Sequence, residues 1–384
     1  MVNRKKEKEK RVETLSEQNK LELLAMPGIM KIKSYQPGKP IEEVKRELGL
    51  KTVVKLASNE NPLGPSNRAI EAIKKCASEI NIYPDGGGYY LKKALAEKLG
   101  LGEEKIILGN GSDEIVSLIT RVFLRKGEEA IMGDPSFLMY KIDTQLSQAR
   151  ILPIPLNNFR LNLPAMAKAI TPKTKLIFIS NPNNPTGTIV EEKEVKSLLK
   201  DLPFRIIVIF DEAYFEYVED KDYPQTINLL NGKNNIVILR TFSKIYGLAG
   251  LRIGYGIARP QIIEMLNRAR PPFNVNSLAQ VAALASLKDK YQIERSKELI
   301  KEEKEYLYSN LHKMKLPYIP TQANFILIKL GTKASYVEKR LLQDGIIIRG
   351  MKAYNLTQYI RLTIGTREQN ERFIRALHKI FLSI

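Results

Sequence analysis

RIIVIF, at residues 205–210, contains five apolar residues in a row, and an acidic pair follows it directly. A strand that is apolar on both faces belongs in a sheet that is covered on both sides. Similar short apolar segments lie near residues 130, 151, 176 and 236, and helical patterns separate most of them. This alternation of strands and helices predicts an α/β fold with a mostly parallel sheet.

The rest of the chain is organised around this α/β region. Residues 1–29 form a charged arm, in which residues 12–25 have a helical pattern that a Pro-Gly pair ends. Beyond residue 272 the pattern changes to long helices and a few short strands, which is typical of an α+β unit. An early strand at residues 53–57 is predicted to join that unit. The predicted division is a large domain of residues 61–272 and a small domain of residues 30–60 and 273–384.

Composition narrows the classes of function. The chain has 384 residues, of which 43% are hydrophobic and 27% charged, and its net charge is +19. Basic proteins attract nucleic acids, anionic membranes or small anions. Here the lysines are mixed with glutamates, and neither zinc-finger spacing nor an RNP-like segment is present, so nucleic-acid binding is disfavoured. We expect instead a solvated basic surface and anionic ligands at one site.

Cysteine content and hydropathy indicate the compartment. Cys76 is the single cysteine, so neither an internal disulfide nor a metal cluster can form around it, and no metal is expected. No apolar run approaches the roughly 20 residues of a membrane span. The first 20 residues contain four glutamates and no apolar core, unlike a secretory signal or a transit peptide. The expected location is the cytoplasm, with no membrane partner.

Polar side chains with distinct chemistry follow several predicted strands. NPNNPTG (181–187) and DEAY (211–214) each end a strand, and Lys244 follows another, with Arg252 eight residues later. In an open parallel sheet these carboxyl ends form the ligand crevice. GNGSDE (109–114) opens a helix after a strand, where backbone N–H groups attract anions, although in isolation a plain capped turn, which is common, is the favoured interpretation. The lysine amine could bond to a carbonyl compound, and the nearby hydroxyl groups and arginine could bind a phosphate on that compound.

These motifs resemble a known family. Asn-Pro-x-Asn-Pro-Thr-Gly, Asp-Glu-Ala-Tyr and Ser-Lys-x-x-x-Leu-Ala-Gly-Leu-Arg, in this order, resemble the pyridoxal-phosphate aminotransferases of fold type I. NENPLGP (59–65) and YPDGGGYY (83–90) are similar to segments of the histidinol-phosphate aminotransferase family. The resemblance covers about residues 30–384. It implies a large domain with a mostly parallel seven-stranded sheet and a smaller α+β domain.

The resemblance also implies roles for individual residues. Lys244 would bond to the cofactor aldehyde and move the substrate proton, Asp211 would pair with the pyridine nitrogen, and Tyr214 would hydrogen-bond the ring oxygen. Phe137, where relatives usually carry tyrosine, would stack on the ring. The other cofactor contacts implied are Asn184 at the ring oxygen and, at the phosphate, Ser112, Asp113, Thr241, Ser243, Arg252 and, from a neighbouring subunit, Tyr83. The cross-subunit contact implies a homodimer with shared active sites.

Substrate contacts are implied in the smaller domain. Arg361 matches the family arginine that binds the α-carboxylate of glutamate, and Arg349 matches the arginine expected at a substrate phosphate. Both arginines are predicted at the ends of adjacent strands, so they are expected to face one pocket. Tyr35 and Asn59 are further candidate substrate contacts.

The activity implied is exchange of the amino group between L-histidinol phosphate and 2-oxoglutarate, a step of histidine biosynthesis. Three alternatives remain open from the residues themselves. The same fold acts on aromatic amino acids in related enzymes, and it also supports decarboxylation of a phosphorylated amino acid. A cofactor-sensing domain of a regulator is disfavoured, because no segment of helix-turn-helix size is left over.

Overall fold

The computed structural model describes residues 21–34 and 38–383. The strands are β1 (Val54–Leu56), β2 (Ile106–Gly109), β3 (Glu129–Asp134), β4 (Arg150–Pro155), β5 (Thr174–Ser180), β6 (Ile207–Asp211), β7 (Asn235–Thr241), β8 (Gly254–Ala258), β9 (Tyr318–Ile319), β10 (Phe325–Lys329), β11 (Ile346–Gly350) and β12 (Tyr359–Thr363). The α-helices from residue 41 onward are α1 (Ile41–Leu48), α2 (Asn67–Cys76), α3 (Tyr89–Leu99), α4 (Ser112–Phe123), α5 (Leu138–Leu146), α6 (Leu163–Lys168), α7 (Glu192–Lys200), α8 (Pro260–Ala269), α9 (Ser277–Leu287), α10 (Lys290–Lys313), α11 (Ala334–Gln343) and α12 (Arg367–Leu382).

A seven-stranded sheet forms the centre of the molecule. Its strand order is β2-β8-β7-β6-β5-β3-β4. Every neighbouring pair from β7 to β4 is parallel, whereas β8 runs antiparallel to both β2 and β7. The predicted mostly parallel seven-stranded sheet is therefore confirmed. β8 itself has no clear signal in the sequence, since two of its five residues are glycines, which are depleted in strands.

Alternate residues of β6 explain why its sequence is continuously apolar. Val208 and Phe210 pack into one hydrophobic cluster, while Ile207 and Ile209 pack into a second cluster on the opposite face. All four side chains are buried. Removing one such aliphatic side chain from water contributes about 1.5–3 kcal/mol, so both faces of the strand stabilise the fold.

The C-terminal part of the chain builds a second sheet. This five-stranded sheet has the order β1-β11-β12-β10-β9. β1 lies parallel to β11, with Val54 opposite Ile346, so the prediction that the early strand joins the C-terminal unit is confirmed. The domain boundaries near residues 60 and 272 stay a prediction. Most of the helix predicted over residues 12–25 falls outside the described residues.

The loop between β1 and α2 reaches across to the segment that follows β7. Asn61 Nδ2 in this loop donates a hydrogen bond to the carbonyl of Ile245 at 2.7 Å. Gly247 has a φ of 68°, and a Cβ atom there would lie 2.3 Å from the carbonyl oxygen of Gly64. Only glycine adopts this conformation at so close an approach without strain. The two loops therefore hold Lys244 between them.

Candidate active site

A cavity of about 580 Å³ lies at the carboxyl ends of β5, β6 and β7. Its walls come from both sheets and from the loop after β1. Thirteen of the fifteen predicted site residues line it: Asn59, Ser112, Asp113, Phe137, Asn184, Asp211, Tyr214, Thr241, Ser243, Lys244, Arg252, Arg349 and Arg361. The structure therefore brings together residues that lie up to about 300 positions apart, as the strand-end rule for parallel sheets predicts.

Lys244 lies in the loop after β7 and is half-buried. Its Nζ donates a hydrogen bond to the carbonyl of Ser58 at 3.1 Å and lies 5.7 Å from the centre of the Tyr214 ring. Burial, and then the positive charge of Arg361, lower the pKa of Lys244 from 10.5 to about 8. A substantial fraction of the amine is therefore neutral in mildly alkaline solution, and the neutral amine is the form that attacks a carbonyl carbon.

Asp211 is the last residue of β6, and its carboxyl group is buried. One oxygen, Oδ2, accepts a hydrogen bond from the hydroxyl of Tyr140 at 2.6 Å, and Oδ1 accepts one from the backbone N–H of Ala213 at 3.2 Å. Burial raises the pKa of Asp211 to about 6, and both hydrogen bonds oppose this rise. The carboxylate is held in place from two sides and lies at the cavity wall.

Tyr140 is a site residue that the sequence interpretation missed. It lies on α5, three residues after Phe137, and is fully buried. A spacing of three at the start of a helix places both side chains on one face, and this is the one signal that could have indicated it. The partner, Asp211, is 71 positions away, so the hydrogen bond between them depends on tertiary structure.

Tyr214 has its hydroxyl held by Asn59. The backbone N–H of Asn59 donates to Oγ1 of Thr363 at 2.9 Å, and that hydroxyl lies 3.2 Å from Oδ1 of Asn59. Because the threonine proton points to Oδ1, the amide nitrogen of Asn59 faces the phenol and donates to it at 2.9 Å. The phenolic proton of Tyr214 is then free to be donated into the cavity. Burial raises the pKa of Tyr214 to about 12, so the proton stays in place at neutral pH.

The start of α4 is shaped to receive an anion. Gly111, at φ 81°, precedes the helix, and no side chain caps it. The Arg252 guanidinium lies next to this turn, since a Cβ atom on Gly111 would be 2.6 Å from Arg252 Nη2. A Cβ atom on Gly254 would likewise lie 2.4 Å from the backbone nitrogen of Ser112. Uncapped N–H groups beside a guanidinium form a site that attracts phosphate or carboxylate.

Three more polar side chains border this helix start. Thr241 Oγ1 donates a hydrogen bond to Ser243 Oγ at 3.0 Å, and both hydroxyl groups line the cavity. Asp113 Oδ1 is buried and has no hydrogen-bond partner among residues 21–34 and 38–383. Burial raises the pKa of Asp113, and the charge of Arg252 opposes that rise.

The asparagines of NPNNPTG have different roles. Asn181 forms hydrogen bonds with both the N–H and the carbonyl of Val190, and Asn183 accepts one from Ser136. Both therefore serve to hold the loop. Asn184 alone among the three lines the cavity. Residue type does not distinguish the three asparagines, and Asn184 was singled out only by its position in the motif that resembles the family.

Arg349 and Arg361 lie directly opposite each other on the antiparallel strands β11 and β12. Opposite residues of a strand pair share one face of the sheet, and both side chains line the cavity. Arg361 donates hydrogen bonds to Oδ1 of Asn184 and, at 3.0 Å, to the carbonyl of Ala57. Its Nε is buried without a partner in the described part of the chain. Together with Arg252, the two arginines give the cavity three guanidinium groups.

Two predicted residues lie elsewhere. Tyr83 is outside this cavity, is 79% exposed and stacks on Phe273 with ring centres 4.8 Å apart. Its role at a neighbouring subunit stays a prediction. Tyr35 falls outside the described residues. Within residues 21–34 and 38–383, no cluster of three acidic, cysteine or histidine side chains could hold a metal, and none of the helices there is long and apolar enough to cross a bilayer.

Comparison with known proteins places the chain in a family. Residues 51–377 match the family described as aminotransferase class I and II. A histidinol-phosphate aminotransferase of Moorella thermoacetica is 51% identical over 354 residues, covering 92% of each chain. Another, from Caldicellulosiruptor saccharolyticus, is 48% identical over 352 residues, covering 92% of this chain and 98% of the other.

A solved structure has the same fold. The crystal structure of histidinol-phosphate aminotransferase from Sinorhizobium meliloti, in complex with pyridoxal-5'-phosphate, superimposes with a TM-score of 0.86 at 27% identity. The match covers 94% of this chain and 98% of that one. The chain therefore belongs to the class I and II aminotransferases and, among them, to the histidinol-phosphate aminotransferases.

Proposed function

We propose that this protein is a pyridoxal-phosphate-dependent transaminase that exchanges the amino group between L-histidinol phosphate and 2-oxoglutarate, giving imidazole acetol phosphate and glutamate. The single observation that carries this proposal is the shared cavity, in which a lysine with a lowered pKa and a buried aspartate lie near paired arginines. The reaction is a step of histidine biosynthesis, and the relatives named for it are about half identical to this chain.

The residues present fit pyridoxal phosphate. A cavity of about 580 Å³ is within the range of roughly 300–1,000 Å³ for small-molecule sites. The uncapped start of α4 beside Arg252 fits a phosphate group, and Lys244 fits an aldehyde. When bound, this cofactor supplies an aldehyde carbon for the amine and a pyridine ring that withdraws electrons from the substrate Cα.

Each residue near the ring has a proposed task that follows from its contacts. Lys244 attaches the cofactor and, once released from it, moves the proton at the substrate Cα. Asp211, held ionised, keeps a proton on the ring nitrogen. Tyr214 donates its free phenolic proton to the ring oxygen, and Asn184 binds the same atom. Phe137 covers one face of the ring.

The phosphate end has a separate set of proposed ligands. The backbone N–H groups of Ser112 and Asp113 and the Arg252 guanidinium supply positive potential. The hydroxyl groups of Thr241 and Ser243 supply further donors. Tyr83 completes the set from a second copy of the chain, so we propose a homodimer with shared sites. Its exposure on this chain leaves the side chain accessible to a partner.

The substrate side is proposed to depend on charge. Arg361 binds the α-carboxylate of glutamate, and Arg349 binds the phosphate of histidinol phosphate. Because the two arginines are register partners, substrates of different shape can share one location while their anionic groups use different arginines. Tyr35 and Asn59 are proposed as further contacts, and Asn59 also orients Tyr214.

A donor screen with purified protein tests this proposal. Histidinol phosphate, phenylalanine, tyrosine and threonine phosphate are each supplied with 2-oxoglutarate, and glutamate formation is measured. Histidinol phosphate should have the highest kcat/KM, and Lys244→Ala should lose both turnover and the visible absorbance of the lysine-bound cofactor. Preference for the aromatic amino acids would replace this proposal with the aromatic alternative, and release of carbon dioxide from threonine phosphate would favour the decarboxylase.

A further inference from the structure

Tyr140 is a buried, hydroxyl-bearing residue of α5 that hydrogen-bonds Asp211. Its ring is parallel to that of Phe178, with ring centres 4.5 Å apart and planes 5° apart. A third ring, that of Phe137, makes a T-shaped contact with it, with ring centres 5.5 Å apart and planes at 82°. The side chain is completely inaccessible to solvent, so its position is fixed by packing on two sides.

The direction of the hydrogen bond to Asp211 follows from the chemistry of its two ends. Burial raises the pKa of the Tyr140 phenol well above its usual value, so the hydroxyl remains protonated. An ionised carboxylate only accepts hydrogen bonds, hence the tyrosine donates at 2.6 Å. A donor favours the charged form of a carboxylate, which burial alone disfavours.

Other charged and titratable groups also face Asp211. Lys244 favours its ionised form, whereas negative charge on Asp113 and Glu212 disfavours it. Tyr214 lies close enough to interact with Asp211 electrostatically, but stays neutral at physiological pH. Among these groups, the Tyr140 hydroxyl is the one that opposes the effect of burial most strongly.

We propose that Tyr140 is a positioning residue that keeps Asp211 ionised and aimed at the pyridine nitrogen of the cofactor while its ring holds Phe137 against the cofactor face. The inference rests on the proposed function, because it requires a ring nitrogen in the cavity. Tyr140 on α5 then contacts both Asp211, which keeps the cofactor ring protonated, and Phe137, which covers one face of that ring. Without the hydroxyl donor, the buried Asp211 carboxylate would take up a proton more readily, and its ionic interaction with the protonated ring nitrogen would be lost.

The test measures cofactor binding by the cofactor-free protein. Two probes are used: pyridoxal phosphate, and its 1-deaza analogue, in which a C–H group replaces the ring nitrogen. Wild type should bind pyridoxal phosphate more tightly than the analogue. Tyr140→Phe keeps the ring packing and loses the hydrogen-bond donor. The ratio of the two affinities, pyridoxal phosphate over the analogue, should therefore fall about tenfold, which is the lower end expected for a hydrogen bond to a charged group.

A matched control loses a similar buried hydroxyl that neither lines the cavity nor hydrogen-bonds Asp211. Tyr223 donates to the carbonyl of Asn181 at 2.5 Å and is as well buried, so Tyr223→Phe should lower stability and leave the preference unchanged. Preference is measured from pH 5 to 8. In Tyr140→Phe the preference should vanish at a higher pH than in wild type as the solution is acidified, since Asp211 without its donor takes up a proton more readily.

The outcomes separate this inference from the proposed function. Wild type that fails to bind pyridoxal phosphate, or that binds both probes equally, refutes the function or the role of Asp211. If Tyr140→Phe keeps the full wild-type preference for pyridoxal phosphate, and the pH dependence of that preference is unchanged, the proposed role of Tyr140 is wrong. Incorporation of 3-fluorotyrosine at position 140 keeps the packing with a stronger donor and should raise the preference. This substitution decides the question where the phenylalanine variant does not fold.

Discussion

Lys244→Met should stabilise the cofactor-free protein at neutral pH, although it removes the residue that we propose bonds to the cofactor. The lysine is half-buried, and the positive charges of Arg361 and Arg252 disfavour its own charge. Its hydrogen bond to the carbonyl of Ser58 does not neutralise that charge. Methionine has a similar length and no charge, so it fills the same space without this cost.

The size of the effect follows from the lowered pKa of Lys244. The value falls from 10.5 to about 8, and each unit corresponds to about 1.4 kcal/mol. With an allowance for solvent screening at a half-buried position, the cost of the charged lysine is about 2 to 3 kcal/mol. Above pH 10.5 the lysine is neutral in both states and the cost is absent. As the pH falls towards about 8, the unfolded chain gains a proton that the folded chain resists, and the cost reaches its full value below that pH.

Urea unfolding of the cofactor-free proteins at pH 7, 8, 9 and 10 measures this cost. All samples have the same protein concentration, because association contributes to apparent stability. Lys244→Met should gain about 2 to 3 kcal/mol over wild type at pH 7, and the gain should shrink at pH 9 and 10. Lys339→Met, at an exposed position on α11, should change stability by less than about 0.5 kcal/mol. A gain of equal size at pH 7 and 10, or a loss at pH 7, would refute the reasoning.

Two further predictions concern the substrate and the neighbouring subunit. Arg349→Ala should lower kcat/KM for histidinol phosphate about ten- to a hundredfold, since a charge-assisted hydrogen bond contributes roughly 1.5–3 kcal/mol. The half-reaction with glutamate should change little. Arg375→Ala, on the surface, serves as the control variant. Equal losses of kcat/KM for both substrates would contradict the proposed role of Arg349 at the substrate phosphate. Tyr83→Phe dimers that exchange subunits with Lys244→Ala dimers should regain activity, because each mixed dimer contains one intact site. No gain after subunit exchange is verified by mass would exclude the cross-subunit contact.

Periodicity and residue type predict most of this fold. Continuous apolar strands such as β6 require cover on both faces, and this local property is visible in the sequence. β8 was not predicted because its glycines have little strand preference, and its antiparallel position between β2 and β7 is decided by tertiary pairing. The sequence predicted that the early strand joins the C-terminal unit, but its partner β11, nearly 300 residues later, and the parallel direction of the pairing are known only from the structure.

The part of the candidate site that can be predicted from the sequence consists of the polar residues that follow predicted strands. Lys244 and Asp211 follow apolar strands, and their meeting in one cavity follows from the parallel sheet. Their roles with a cofactor remain predictions. The contacts that orient Asp211 and Tyr214 were not predictable, because Tyr140, which bonds Asp211, and Thr363, which orients the Asn59 bonded to Tyr214, are ordinary residues of a helix and a strand. Only the packing of distant segments places their hydroxyl groups beside these partners.

The two arginines of β11 and β12 lie on the five-stranded sheet, whereas Asp211 ends β6 of the seven-stranded sheet and Lys244 lies in the loop after β7. Under the proposed roles, substitutions on β11 should change which anionic compound is accepted without altering the strands that carry the lysine and its aspartate. Arg361 on β12 is different, because its charge also lowers the pKa of Lys244. Such a separation lets a duplicated gene diversify in donor preference without rebuilding its chemistry. For an engineer, β11 is the strand to randomise when a new amino donor is wanted, and β6 and β7 are the strands to leave intact.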